Sequence, residues 1–282
     1  MLEGQASRTA ERVAAERAAH QRLDSPKILD DPLAIRVIAP EHAALLRDHP
    51  EQHDASPINK FTRAIVVVRS RIAEDELRRA AGEGVTQYVL LGAGLDTFAY
   101  RNPHSAVHVF EVDHPSTQQL KHDRLAAAGI AIPANVTFVA CDFAQHTLPG
   151  ALSASGFDCA RPAVVAWLGV TMYLEPDEVE QTLRYLASLP IGTTVIFDYA
   201  VPPESVPWLT RMFYRRILDR LAAYGEPWKA FFDPQPLANI LTALGFTRID
   251  DLGQAEINGR YLANRTDDLK TGSVGRIVVA IR

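Results

Sequence analysis

Apolar positions along the chain follow two different periods. From Ala6 to Leu23 an alanine-rich stretch carries its apolar residues at helical spacing, and Asp24-Ser25-Pro26 stops it. After "DDPLAIRVI" a polar stretch runs to about Asn59, and "FTRAIVVVRSRIAEDELRRAA" then predicts a longer helix closed by Gly82. Beyond it the spacing changes. Short apolar runs at Gln87–Leu91, Val107–Val112, Val136–Val139, Ala163–Leu168 and Thr193–Phe197 predict buried strands, with helices at Ser116–Ala128 and Pro176–Leu189 between them. A helix at Pro236–Leu244 ending at Gly245, a strand at Phe246–Asp251 and the closing strand "GRIVVAIR" complete the series.

Strands that trade places with helices and read as continuous hydrophobic runs are covered on both faces, which implies a parallel sheet. The expected fold is α/β: a doubly wound, mostly parallel seven-stranded sheet. A helical N-terminal cap, residues 1–82, is expected in the same domain as the core at 83–282. Residues 201–235 break the alternation with prolines, two tryptophans and a helical middle, "VPWLTRMFYRRILDRLAAYG". An insertion at the carboxyl end of the fifth strand is placed to cover a ligand crevice, so this helical segment is expected to be a lid. Its Trp208, Phe213, Tyr214, Trp228, Phe231 and Phe232 form either an acceptor pocket or the lid's own core.

Composition narrows the partners. A chain that is 47% hydrophobic and 22% charged, with a net charge of -5, has no basic excess for phosphate binding, so nucleic acid is set aside and a small molecule expected. Cys141 and Cys159 offer neither a disulfide framework nor a CxxC pair and are expected as small buried hydrophobes in a reducing cytoplasm. The first twenty residues carry charges throughout, without a signal-peptide core, and aliphatic runs such as Ile65–Val68 are too short to cross a bilayer. No membrane association is expected.

The most specific chemistry lies at Val89–Arg101, "VLLGAGLDTFAYR". A strand ending in Gly92-Ala93-Gly94 lets the backbone approach a ligand closely, because a Cβ there would occupy the ligand's space. The dinucleotide fingerprint wants a third glycine three residues on, but position 97 is threonine and Asp96 adds negative charge where a pyrophosphate would sit. An adenosine ligand with a zwitterionic, cationic tail matches the loop better than a diphosphate. The second strand ends in "VFEVD", placing Asp113 where an acid accepts from both ribose hydroxyls. "VTFVACDF" ends in Asp142-Phe143, an acid for an adenine amino group and an aromatic ring to pack beside it. Helix capping is the alternative for the two acids, and core packing for the ring.

"RSRIAEDEL", "LGAGLDTFAYR", "FEVDHPSTQQLK", "CDF" and "WLGVTMYLEPDEVEQTL", in this order, resemble the leucine carboxyl methyltransferase-like family of class I, Rossmann-like methyltransferases, over about residues 6 to 200. The resemblance implies S-adenosylmethionine as cofactor. It implies that Arg69 grips the methionine carboxylate as a guanidinium fork, that Gly92, Ala93 and Gly94 flank the methionine portion, and that Asp113 takes the ribose and Asp142 with Phe143 the adenine. Leu168 joins these contacts at a position where many relatives carry glutamate. A further basic residue near the amino terminus often contacts the cofactor in relatives, and Arg8 and Arg17 both match.

Methyl transfer from a sulfonium is an in-line displacement that neutralises charge, so alignment and exclusion of water matter most. A carboxylate acceptor needs no base, whereas a phenol is helped by one. Tyr173 is the candidate catalytic residue, orienting the acceptor, with a buried ring and satisfied hydroxyl as the alternative; Asp198-Tyr199 stands at the next strand end with the same opportunity. The histidines show no paired metal-ligand spacing, and His104, His108, His114 and His122 are expected at the surface or in turns. The expected function is an O-methyltransferase using S-adenosylmethionine on a carboxylate or hydroxyl of a small molecule. An NAD(P)-dependent oxidoreductase and a non-catalytic binding protein on the same fold are the alternatives.

Overall fold

The computed structural model describes residues 8–54, 57–142, 146–223 and 225–282, without the side chains of Arg8 and Pro57. The chain opens with α1 (Arg8–Leu23), three short helices α2 (Ala34–Val37), α3 (Pro40–Asp48) and α4 (Pro50–His53), and the 26-residue α5 (Pro57–Gly82). The three short helices fall in the stretch that reads as merely polar. Pro40 and Pro50 start two of them at a first-turn position where a missing N–H costs nothing.

From there strand and helix alternate: β1 (Gln87–Leu91), β2 (His108–Asp113), α6 (Pro115–Ala127), β3 (Val136–Ala140), α7 (Leu148–Ala154), β4 (Val164–Trp167), α8 (Pro176–Leu186) and β5 (Thr194–Ala200). Then come α9 (Trp208–Ala223), α10 (Pro234–Ala243), β6 (Arg248–Leu252), α11 (Gln254–Tyr261) and β7 (Gly275–Ile281). The strands form one sheet in the order β3-β2-β1-β4-β5-β7-β6. The first five are parallel, and β7 runs antiparallel between β5 and β6, with Thr194 opposite Ile281 and Arg248 also opposite Ile281. The expected sheet and its mostly parallel character are therefore present.

Two-residue alternation distributes the strands' side chains to two cores. Val89 and Leu91 of β1 join Leu148 of α7, Val179 and Leu183 of α8 and Leu241 of α10 on one face. Tyr88 and Leu90 join Val68, Ile72 and Leu77 of α5 and Ile257 of α11 on the other. Each such aliphatic residue contributes roughly 1.5–3 kcal/mol on burial. A third, smaller cluster of Ala14, Ala18, Ile38, Leu46 and Leu95 fastens α1 over the turn that follows β1. That cluster brings the N-terminal helices to the ligand side of the sheet. No helix among the described residues is long and apolar enough to cross a membrane.

Candidate active site

The carboxyl ends of β1 to β4 open onto a cavity of about 510 Å³, inside the range of roughly 300–1,000 Å³ typical of small-molecule sites. Its floor is the turn after β1. Gly92 adopts φ +76°, and a Cβ there would lie 2.4 Å from Val170 Cγ2. The amides of Gly92 and Ala93 donate to the Val112 carbonyl at 2.8 and 3.0 Å, tying the turn to the end of β2. Gly94, at φ +49°, donates its N–H to Asp113 Oδ2 at 2.6 Å, while Oδ1 accepts from the His114 amide at 2.7 Å. Two backbone donors thus hold the Asp113 carboxylate at the cavity wall. Burial pushes its pKa above the usual carboxylate range despite the opposing pull of these donors.

Arg69 reaches the cavity from α5. Its guanidinium is largely buried, donates through Nη1 to Asp198 Oδ2 at 2.7 Å, and lies so close over Gly169 that a Cβ there would be 2.6 Å from Nη2. Asp198 Oδ1 accepts the Gly169 amide at 2.6 Å, and the Asp198 carbonyl accepts the Thr171 hydroxyl at 2.6 Å. Asp198 therefore clamps Arg69 to the ends of β4 and β5, and the expectation that it faces an acceptor is corrected: its oxygens are taken. Tyr199 is corrected too, since its hydroxyl donates to Asp251 at 2.7 Å and its side chain does not line the cavity.

Arg17 of α1 lines the cavity but is bound into a polar knot. It donates to Asp96 Oδ2 at 2.6 Å and the Leu95 carbonyl at 3.1 Å, and pairs with Asp31 at 3.3 Å. Asp31 in turn accepts the Thr97 hydroxyl at 2.6 Å. Asp96, where burial alone would raise the pKa, is held below the usual range by Arg17, Lys121, Arg101 and the Phe98 amide. These residues brace the glycine turn against α1. The side chain of Arg8 lies outside the described residues, and so does Phe143. Asp142 and Leu168 both line the cavity.

Tyr173 lines the cavity as well, its ring edge-on to Trp228 at 6.4 Å and its hydroxyl 3.4 Å from Thr9 Oγ1. Burial pushes its phenol up, so at neutral pH it is a donor and not a base. The segment after α9 closes this end with Gly225, Glu226, Pro227 and Lys229. Glu226 Oε2 accepts the Thr9 amide at 3.2 Å and also the Thr9 hydroxyl. Lys229 pairs outward with Glu175 at 2.9 Å, and its amide donates to the Met172 carbonyl at 2.7 Å. Sequence reasoning missed Thr9 and Glu226, which are separated by 217 positions and carry no local motif.

The aromatic residues of the segment expected to be a lid do not line the cavity. Tyr214 is buried and donates to the Val201 carbonyl at 3.0 Å, and Trp228, Phe231 and Phe232 pack on the main core. Trp208 and Phe213 face solvent. Neither an aromatic acceptor pocket nor a separate lid core describes them. Cys141 is buried at the cavity wall, but Cys159 is exposed, correcting the expectation that both are buried: it sits in the turn between α7 and β4. His114 caps α6, its Nδ1 accepting the Ser116 amide at 3.2 Å.

Among the described residues lining the cavity, Asp96, Asp113, Asp142 and Glu226 face Arg17, Arg69 and Lys229, and each of these cations already holds a carboxylate. Such a cavity suits a ligand carrying positive charge and repels a diphosphate.

The family model for leucine carboxyl methyltransferase matches residues 10–187. A Bacillus subtilis protein, named as an S-adenosyl-L-methionine-dependent methyltransferase, is 31% identical over all of both chains. A Mycolicibacterium smegmatis protein named in the same way is 31% identical over 90% of this chain and 81% of its own. Among solved structures, a DUF574-family protein of Streptomyces avermitilis covers 100% of both chains with a TM-score of 0.58 at 15% identity. A Thermobifida fusca protein described as a methyltransferase covers 100% of this chain and 96% of its own, with a TM-score of 0.57 at 17% identity. At such identities the two structures speak to the fold alone.

Proposed function

The chain belongs to the leucine carboxyl methyltransferase family of S-adenosylmethionine-dependent enzymes, and from that premise we propose that it methylates an oxygen, carboxylate or hydroxyl, of a small molecule. The cofactor supplies an electrophilic methyl group on a sulfonium. What carries the assignment of its site is the Asp113 carboxylate, fixed at the end of β2 by the Gly94 amide beside a turn in which Gly92 leaves no room for a Cβ and Gly92 and Gly94 both take positive φ. This is the arrangement that a ribose with two vicinal hydroxyls requires.

On this reading Asp113 accepts from the ribose, Asp142 and Phe143 serve the adenine, and Gly92, Ala93 and Gly94 lie along the methionine portion. Leu168 supplies an apolar wall. Arg69 takes the methionine carboxylate, with Asp198 holding its guanidinium in place. The acid-rich lining favours a net cationic ligand, which supports S-adenosylmethionine over a nicotinamide dinucleotide. Tyr173, kept protonated by its surroundings, donates a hydrogen bond that orients the acceptor. The N-terminal cap of residues 1–82 and the lid of about 201–235 then act together, since Thr9 and Glu226 meet across the cavity and help exclude water.

Calorimetry with S-adenosylmethionine, S-adenosylhomocysteine and NAD(P) tests the cofactor assignment. Formation of S-adenosylhomocysteine over a panel of carboxylic and phenolic acceptors tests turnover. Tight NAD(P) binding, or no turnover with any oxygen acceptor, would retire the proposal.

A further inference from the structure

We propose that the outer face of α9 is a docking surface for a second copy of this chain, the two helices packing antiparallel about Met212. The helix needs only its other side to fasten itself to its own fold. Tyr214 is buried, donates to the Val201 carbonyl at 3.0 Å and sets its ring edge-on to Trp228 and Phe231, and Leu218 packs on the main core. Arg211 ties the start of the helix to the carbonyls of Glu204 and Val206. On the opposite side Trp208, Leu209, Met212 and Phe213 are each more than half exposed. Positions i, i+1, i+4 and i+5 fall on one stripe of a helix, so these four side chains form a single patch over its first two turns. Of the large apolar side chains exposed among the described residues, only Phe61, Ile132 and Ile191 stand elsewhere, each on a different part of the chain. Single exposed residues are ordinary; a contiguous patch marks a contact.

Area and charge together select the occupant. The patch offers on the order of 500 Å² of apolar surface, about the most that a monomer leaves to water. Two copies closing on each other would cover on the order of 1,000 Å², where specific interfaces begin. The second half of the exposed face carries Arg215, Arg216 and Arg220, with Asp219 among them, while the acid Glu204 precedes the helix. Parallel alignment would stack these arginines on their own copies. Antiparallel alignment about Met212 lays apolar half on apolar half. With a rise of 1.5 Å per residue it sets Arg216 about 12 Å and Arg220 about 24 Å along the axis from its own copy, beyond the Debye length of about 8 Å. It also turns the Glu204 end of each copy toward the basic end of the other and places the Trp208 indole across from the turn of Arg215 and Arg216, where a guanidinium over the ring is favourable. Arg215 reaches Glu204 of its own chain at 3.4 Å, but both side chains are exposed, so that pair is weak and can be shared. An anionic lipid surface is the other chemistry that apolar and basic side chains suit. Glu204 and Asp219 border the patch and the chain carries a net charge of -5, and such a surface repels both.

Sedimentation equilibrium of the full chain from about 1 to 100 µM should show a reversible dimer, twice the 31.1 kDa of one chain, with a micromolar dissociation constant. Met212→Arg opposes like charges at the two-fold axis and should raise that constant by about tenfold or more. Thermal unfolding of the variant should match that of the native chain at a concentration where both are monomeric, because the substituted side chain faces solvent. Disulfide formation reads the register separately. In a Cys159→Ser background, which removes the exposed thiol, Met212→Cys should cross-link to its own copy under mild oxidation and Arg220→Cys should not, since only position 212 lies at the axis. A chain that stays monomeric over the whole range, a dimer that Met212→Arg leaves intact, or cross-linking through position 220 in place of 212 overturns the proposal. Phosphatidylglycerol vesicles that bind the monomer, and cease to bind it in Trp208→Ser, would give the face to lipid and overturn it as well. Should Met212→Arg not fold, the two cysteine variants still decide.

Discussion

At the scale of single residues, Asp113 and Arg69 carry opposite ends of the proposed cofactor site, and each can be tested alone. Asp113→Ala should weaken S-adenosylmethionine binding by roughly 1.5–3 kcal/mol, the worth of hydrogen bonds to a charged acceptor; a folded variant with an unchanged Kd would make this aspartate a bystander. Burial raises the Asp113 pKa, and the ribose hydroxyls donate to its ionised form. Affinity should therefore be full above that raised pKa and fall as the pH drops through it, starting above the ordinary value of about 3.9. Calorimetry across acidic pH, with Asp113→Asn as the control that lacks this titration, checks the sign. For Arg69 the discriminating ligand is a decarboxylated S-adenosylmethionine analogue. Arg69→Ala should penalise the natural cofactor by roughly 1.5–3 kcal/mol and the analogue hardly at all, with Arg69→Lys intermediate because it loses the planar fork. Equal losses would reduce Arg69 to a strut for Asp198.

At the scale of elements, the turn after β4 packs tightly against α5. Gly169 sits at φ +74° with the Arg69 guanidinium where its Cβ would be, so Gly169→Ala combines a strained backbone with a clash. It should cost roughly 1–3 kcal/mol in urea unfolding, and it should also weaken cofactor binding by displacing Arg69. Loss of stability with unaltered binding would separate the turn from the site. The elements themselves differ in how legible they were. Strands such as Gln87–Leu91 stand where the apolar runs put them, because burial on both faces leaves no freedom in composition. By contrast α2, α3, α4, α7 and α11 have short or weak apolar faces, and their existence depends on what they pack against. Helix α9 was legible as a helix, but not which of its aromatics would be buried: Tyr214 is, while Trp208 and Phe213 are exposed.

At the scale of the whole molecule, a buried charge network ties the N-terminal helices to α5. Arg63 is fully buried and donates to Asp24 at 2.8 Å and Asp54 at 2.7 Å, while His20 lies 2.7 Å from Asp24. Arg63→Ala strands Asp24 in the interior and should destabilise the protein by roughly 3–5 kcal/mol; thermal and urea unfolding measure this, and a loss below about 1 kcal/mol, the level of an exposed pair, would contradict it. Burial alone would raise Asp24, but His20 and Arg63 outweigh it and leave its pKa lowered. Its contribution is thus present above the unfolded pKa of about 3.9 and lost as the pH falls through the lower folded value. Acid unfolding of Asp24→Asn should show a shallower pH dependence across that window.

The local sequence determined the alternation of strands and helices, the glycine turn at 92–94 and the acids at the ends of β2 and β3, since each rests on a period or spacing within a few residues. Arg69 and Leu168 were placed by the resemblance of several motifs in order. Tertiary structure alone decided the rest. The pairing of Arg69 with Asp198 joins positions 129 apart, and the meeting of Thr9 with Glu226 joins positions 217 apart. Such contacts arise when the sheet, α1 and the segment after α9 pack around one cavity, and side chains that touch only through the fold leave no periodic trace along the chain.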